Sequence, residues 1–413
     1  MTLPAHPAAA PPAAPDSHRL ALVVIALVLG GVGVGITEFV TMGLLPQIAE
    51  DVGVDIPTAG HVISAYAVGV VVGAPLIALG AARFPRRGVL VALMLVFAAG
   101  NALTALAPGY GTLVAARVLA GLPHGAYFGL AALVAVALAP PGRGGRAVGT
   151  VMLGLPIAMV AGVPLGTWAG QQLGWQVAYW AVAVIGVLTA VLVRAWVPAF
   201  PAEHGATVGT ELRAFTSLQF WLTMLIGAVG FGGMFAMYSY IAPTVEVVTG
   251  LSRSWVPVFL LVHGAFSVLG TWLGGRMGDW SVLRTLLLMG LTSAVSLLAF
   301  WQTSRWLVPA LVTLSLIAVS GSAWVIALQL RLMSVAGSAR TLGAAMNHSS
   351  LNIANALGAW VGGAVIAAGH GLRAPSLVGA ALSVGGLVLL GLSLLVHRRD
   401  TRAGQPQTAS ISG

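Results

Sequence analysis

The sequence predicts an all-α polytopic membrane protein of twelve transmembrane helices in two pseudo-symmetric six-helix halves. Three observations carry that prediction. The chain is 58% hydrophobic and only 7% charged, with a mean hydropathy of +0.96, whereas a soluble domain carries about 25% charged residues. Apolar runs of spanning length alternate with short polar breaks. That pattern suits helices rather than a barrel, because a helix closes its own backbone hydrogen bonds in lipid and about 20 residues cross it. The longest polar stretch between runs falls near the middle of the chain, so the runs divide six and six.

In chain order, residues 1–19 are rich in Ala and Pro and read as a disordered cytoplasmic tail. The tail lacks the basic start of a signal peptide, and the apolar run after it is too long for one, so no cleavage is expected. The apolar runs cover 20–44, 58–80, 88–107, 111–139, 146–170 and 175–197, then 218–241, 255–277, 282–301, 306–332, 341–368 and 375–396. The N-terminal six-helix half is therefore 20–197 and the C-terminal one 218–397. Between them, 198–217 reads as a central cytoplasmic loop, with Pro198, Pro201, Glu203, His204, Glu211 and Arg213. Residues 398–413 form a cytoplasmic C-terminal tail.

Net charge is +9 with a pI of about 11.2, and every basic residue is arginine. In a soluble protein such a balance would suggest nucleic acid, but no base-reading motif or basic-aromatic patch accompanies it, and no nucleic-acid partner is expected. Topology explains the arginines better. With both termini inside, fifteen arginines fall on the cytoplasmic side and only Arg253, Arg305 and Arg373 on the outer side, as the positive-inside rule requires. The lysine-free, Ala- and Gly-rich composition reads as a GC-rich bacterial genome, which places the chain in a bacterial plasma (inner) membrane. Cysteine is absent, which excludes disulfides and thiol chemistry. The sequence holds no cluster of His and carboxylates for a metal, no phosphate-cradling Gly-x-x-x-x-Gly-Lys loop and no cofactor signature, so neither ATP nor a bound cofactor is expected.

One carboxylate lies inside an apolar run: Glu38, in the segment Thr37-Glu38-Phe39. A charge at that depth costs about 2.5–3.5 kcal/mol, so such residues face a cavity and carry a task. A buried carboxyl takes up and releases protons near neutral pH. The alternative is a protonated Glu38 that merely ties two helices together.

Further polar groups are patterned. Arg117, Gly121 and His124 in the fourth run share one helix face. Arg117 either faces polar groups within the protein or snorkels to the outer surface; His124 is either a packing residue or a second proton carrier. The fifth run holds Gly154, Pro156, Gly162, Pro164 and Gly166, small residues for close helix approach with kinking prolines. In the eleventh run His348, Asn352 and Asn355 share a face near Asn347, to bind substrate hydroxyls or to join helices. Tyr66 and Tyr238 complete the expected substrate cavity. His263 and Tyr240 read as structural. Basic turns follow the second and eighth runs at matching places in the two halves: Arg83, Arg86 and Arg87 in one, Gly275, Arg276, Asp279 and Arg284 in the other.

Six plus six runs with these turns resemble the major facilitator superfamily. Gly275 and Asp279 match its Gly-x-x-x-Asp-(Arg/Lys) loop, with Trp280 at the basic position; the first copy has Ala82 where the family has Asp. The fourth run resembles the family's Arg-x-x-x-Gly signature. Gly162-Val163-Pro164 resembles the Gly-Pro signature of its efflux antiporters. Together these motifs resemble the drug:proton antiporter branch, with the arabinose efflux permeases and actinobacterial chloramphenicol-resistance permeases. The resemblance implies a monomeric, proton-coupled exporter in the lipid bilayer, not an enzyme, with a small-molecule drug or antibiotic as cargo. It also implies proton coupling at Glu38, Arg117 and His124. Sugar or nucleoside export is the alternative; an importer or a non-transporting membrane sensor fits less well.

Overall fold

A computed structural model of the protein describes residues 17–54, 56–81, 84–199, 209 and 212–403. Within these, twelve helices are long and apolar enough to cross a membrane. Spans 1 to 6 are His18–Asp51, His61–Ala81, Arg86–Ala105, Tyr110–Leu138, Gly144–Leu173 and Gln176–Trp196. Spans 7 to 12 are Leu218–Tyr238, Val256–Trp280, Val282–Thr303, Leu307–Val335, Arg340–His370 and Ala374–Val396. Each falls on one apolar run of the sequence, with ends within about three residues except in span 1, whose helix continues to Asp51. There the chain keeps its backbone hydrogen bonds by continuing as helix past the apolar stretch. The expected terminal tails largely, Ala82 and Arg83, and Pro201, Glu203, His204 and Glu211 of the central loop lie outside the described residues.

Local chemistry accounts for several boundaries. The Ser217 hydroxyl accepts from the Phe220 amide at 3.3 Å and opens span 7, and the Ser281 hydroxyl accepts from the Arg284 amide at 3.4 Å and opens span 9. Pro257 sits in the first turn of span 8, where no amide is missed. Four spans are interrupted, span 11 only in its last turn, over Ile366–His370. Span 4 breaks into Tyr110–Gly121 and Pro123–Leu138, as Pro123 cannot donate back into the preceding turn. Span 5 carries a π-helical stretch over Ala158–Gly162, and span 7 another over Ile226–Gly230. Such widened turns concentrate at functional sites.

Each half has its own apolar core. One is built on Leu27, Val34, Phe97, Tyr127 and Tyr179, the other on Phe220, Phe259, Phe300, Leu314 and Trp324. The halves meet through spans 2, 4 and 5 of the first and spans 11 and 8 of the second. Glycines make these approaches possible. A Cβ on Gly129 would come within 2.6 Å of the Ala345 backbone nitrogen, and one on Gly149 within 3.1 Å of the Gly275 Cα. Both contacts lie toward the end of the molecule that carries Arg143, Arg146, Arg276 and Arg284, called the basic end below. Toward the far end the halves part. Met42, Thr167, Trp168 and Gln171 then face Ser239, Pro257, Leu260 and Leu261 across a cleft. The chain is thus closed at its basic end and open at the other.

Candidate functional site

Below that cleft, a central cavity lies between the halves. Span 1 contributes Glu38 and Phe39, and span 5 contributes Met152, Leu155, Pro156 and Met159. The opposite wall comes from span 7 with Phe235 and Tyr238, span 8 with His263, Ser267 and Thr271, span 10 with Ser322, and span 11 with His348, Asn352 and Asn355. Five of the residues expected to act therefore meet in one place: Glu38, Tyr238, His348, Asn352 and Asn355. Among the described residues the Glu38 carboxyl has neither a hydrogen-bond nor an ion-pair partner. Glu38 thus joins no two helices among the described residues.

Span 5 sets the position of Glu38. Gly154 faces the backbone of Gly31, Gly162 faces Ile36, and Gly166 faces Val40. The signature glycines thus bed span 1 against span 5, on either side of the carboxyl in the chain; Pro164 lines the outer cleft instead. A Cβ at Gly154 would lie 2.7 Å from backbone atoms of Gly31, which cannot rotate away. Gly154→Leu should therefore cost roughly 1–3 kcal/mol or more by overpacking. Gly111→Ala, with nothing within 4 Å of the added carbon, should be neutral. Thermal unfolding of the two variants in detergent checks this, and equal midpoints would refute it.

Arg117 is fully buried, so the snorkelling alternative falls. Its guanidinium donates to the Thr37 hydroxyl at 2.8 Å and to the Thr37 carbonyl at 3.0 Å, and lies 4.4 Å from the Tyr66 ring centre. The Thr37 hydroxyl donates in turn to Asn101 Oδ1 at 2.5 Å, and Thr41 shares a hydrogen bond with the Tyr179 hydroxyl at 2.8 Å. Thr37, Asn101 and Tyr179 were not singled out in the sequence. The one signal was their polarity within apolar runs, which many unimportant threonines share.

His124 belongs to a second network. Its Nδ1 shares a hydrogen bond with the Tyr66 hydroxyl at 3.0 Å, and its Nε2 shares one with His348 Nδ1 at 2.9 Å. His348 stacks on Phe128 with ring centres 4.5 Å apart. A Tyr–His–His chain thus crosses from the first half to the second and ends at the cavity wall. This corrects two expected substrate contacts. Tyr66 does not line the cavity, because its hydroxyl is engaged by His124. Asn347 does not line it either: it neighbours His348 on a helix, where successive side chains diverge by about 100°. Asn347 is buried with neither amide atom partnered.

At the basic end, Asp279 crosses between the halves. Its Oδ1 accepts from the Gly145 amide at 2.6 Å, and its Oδ2 lies 3.2 Å from Arg146 Nε. A carboxylate is favoured at that helix start by the peptide dipoles. Arg87, Arg276 and Arg284 act within their own half. Arg87 donates to the Val197 carbonyl at 3.4 Å, Arg276 stacks over Trp272 at 3.6 Å, and Arg284 over Trp280 at 5.0 Å. Gly275 provides the close approach to span 5, and Arg83 lies outside the described residues.

A family profile described as Major Facilitator Superfamily matches residues 27–336. The chain belongs to the Major Facilitator Superfamily. It is 39% identical to the inner membrane transport protein YdhP of Escherichia coli K12, over 94% of this chain and 98% of that protein. It is also 39% identical to a chloramphenicol resistance protein of Streptomyces lividans, over 62% of this chain and 66% of that one. Among solved structures, the transporter FucP in its outward conformation superposes with a TM-score of 0.73 at 16% identity, over 91% of this chain and 98% of FucP. The fold is that of this superfamily, and the protein is a multi-pass membrane transporter rather than an enzyme.

Proposed function

We propose that this transporter exports a small organic molecule in exchange for protons, most simply a drug or antibiotic of the chloramphenicol type. The observation that carries the reading is the Glu38 carboxyl, without a hydrogen bond or ion pair among the described residues and opening on a largely apolar cavity between two halves that part at one end only. A group so placed binds either a proton or a substrate, and competition between them couples the two flows. The superfamily's span-5 glycines, packed on the Glu38 helix, support export, as does the likeness to the Streptomyces chloramphenicol resistance protein. Arg117 holds Thr37, the residue before Glu38, and so fixes the carboxyl's helix. The Tyr66–His124–His348 chain offers a second proton-bearing path from the first half to the cavity.

The arginine count assigns the basic end to the cytoplasm, with both termini there, in a bacterial inner membrane, and the protein acts as a monomer. Sugar or nucleoside export is the second reading, favoured by Asn352 and Asn355 on the cavity wall. The test uses purified protein in liposomes with an imposed pH gradient. Uphill chloramphenicol movement that collapses with a protonophore is expected, together with proton release when the drug is added in detergent. Uphill movement of methyl galactoside or uridine alone would favour the second reading, and gradient-independent flux of all three would refute proton coupling.

The same cycle requires the basic end to open. The contact of Asp279 with Gly145 and Arg146 exists only while that end is closed, and a helix start contributes about 0.3–1 kcal/mol to a carboxylate, more with an arginine partner. Asp279→Asn should therefore move the population toward opening there, several-fold for each kcal/mol lost. Paired spin labels across the loops at the basic end report the distance; an unchanged distribution would reduce the loop to a topology signal.

A further inference from the structure

Span 8 presents a polar stripe to the central cavity. His263, Ser267 and Thr271 recur every four residues, share one helix face and line the cavity together. All three are buried within the protein, at 4%, 6% and 3% exposure. None has a hydrogen-bond partner among the described residues, and His263 Nδ1 is buried and unpaired. Several helical Ser and Thr elsewhere in this chain bond to the carbonyl four residues back, as Thr104 does at 2.8 Å, Thr285 at 2.7 Å and Ser320 at 2.7 Å, whereas Thr189 is left unpaired. Ser267 and Thr271 do not, and their hydroxyls are open to the cavity. Tyr238 flanks the stripe, with its ring 4.6 Å from that of His263.

Unmet hydrogen-bonding groups inside a membrane protein are costly and call for a partner. Imidazole and hydroxyls each donate and accept, but none carries a fixed charge. The cavity lining holds no arginine, and its one carboxyl, Glu38, lies on the opposite half. We propose that His263, Ser267 and Thr271 form the specificity site for the hydroxyl and amide groups of an uncharged amphipathic substrate, whose apolar part lies against Met152, Leu155, Met159 and Phe235. The two walls divide the work: Glu38 on span 1 exchanges a proton against the substrate, and span 8 selects which polar groups the substrate must carry. This rests on the central cavity being the substrate site.

The absence of native cysteine makes a direct test possible. Ser267→Cys, in the otherwise cysteine-free chain, should react with a positively charged, water-soluble methanethiosulfonate reagent. Chloramphenicol, methyl galactoside and uridine serve as neutral hydroxylated probes, and tetraphenylphosphonium as an apolar cation without hydrogen-bonding groups. At least one neutral probe should slow labelling. Adding His263→Leu or Thr271→Val should raise the concentration needed by roughly tenfold, the equivalent of one lost hydrogen bond. His263→Gln should recover most of that, and any protection by tetraphenylphosphonium should be unmoved. An unreactive Cys at 267, no protection by any neutral probe, or protection indifferent to His263→Leu and Thr271→Val would each overturn the proposal. Proton-driven uptake into inverted vesicles is read separately. Protection that depends on the stripe but comes without such uptake keeps this inference and removes the export reading. Uptake whose probe preference ignores the stripe removes this inference alone.

Discussion

Glu38→Gln should abolish proton-driven export while leaving folded protein in the membrane. Glutamine preserves the shape of the side chain and its place between Thr37 and Phe39, but it cannot titrate. No protein group depends on the carboxylate as an acceptor among the described residues, so the substitution leaves no partner stranded. Span 1 stays seated on span 5 through Gly154, Gly162 and Gly166, which the change does not touch. The loss should therefore be selective. Uphill transport and substrate-induced proton release should vanish, whereas substrate binding and downhill exchange should persist. Normal uphill export by the glutamine variant would remove Glu38 from the coupling role.

Arg117→Ala should impair transport at least tenfold, whereas Arg373→Ala should leave most of it. Both arginines make hydrogen bonds, but their surroundings differ. Arg117 is fully buried and its two bonds to Thr37 anchor the Glu38 helix. Hydrogen bonds to charged groups contribute about 1.5–3 kcal/mol each, and the Thr37 hydroxyl would lose its donor, while the Thr37 carbonyl keeps the Thr41 hydroxyl at 3.3 Å. Arg373 donates to the Trp301 carbonyl at 2.6 Å and to Gln302 Oε1 at 2.7 Å, in the turn between spans 11 and 12 at the far end. Water can replace the guanidinium there. Arg117→Lys should fall between, because an ammonium keeps the charge but lacks the planar fork that reaches both Thr37 oxygens. A cysteine at 117 should resist aqueous maleimide in the closed-basic-end state, while one at 373 should react. Equal transport by the two alanine variants, or equal labelling, would refute the buried role of Arg117.

The residues divide instructively. Glu38 was legible because a carboxylate in an apolar run is rare and expensive, so its presence alone signals a cavity. His348, Asn352 and Asn355 were legible through helical spacing, which places them on one face wherever that helix sits. The same spacing links His263, Ser267 and Thr271, yet His263 read as structural and the two hydroxyl residues drew no notice. Ser and Thr are ordinary in membrane helices because they bond to their own backbone. Only the tertiary structure shows that Ser267 and Thr271 do not. Arg117 left two readings open, since a long side chain can bend toward either a surface or a neighbour, and only Thr37 and Tyr66 beside it decide between them.

What the sequence by itself determined was the set of spans and the superfamily. These follow from local properties: apolar length, the cost of exposed backbone in lipid, and glycines and prolines at fixed offsets. What only the tertiary structure decided was which polar groups meet across the halves. The His124–His348 bond joins spans 4 and 11, and Asp279 reaches Gly145 and Arg146. Tyr66 and Asn347 leave the cavity wall to its other residues. Those pairings depend on helix rotation and on how closely Gly129 lets span 4 approach Ala345, and neither is a property of any one stretch of chain.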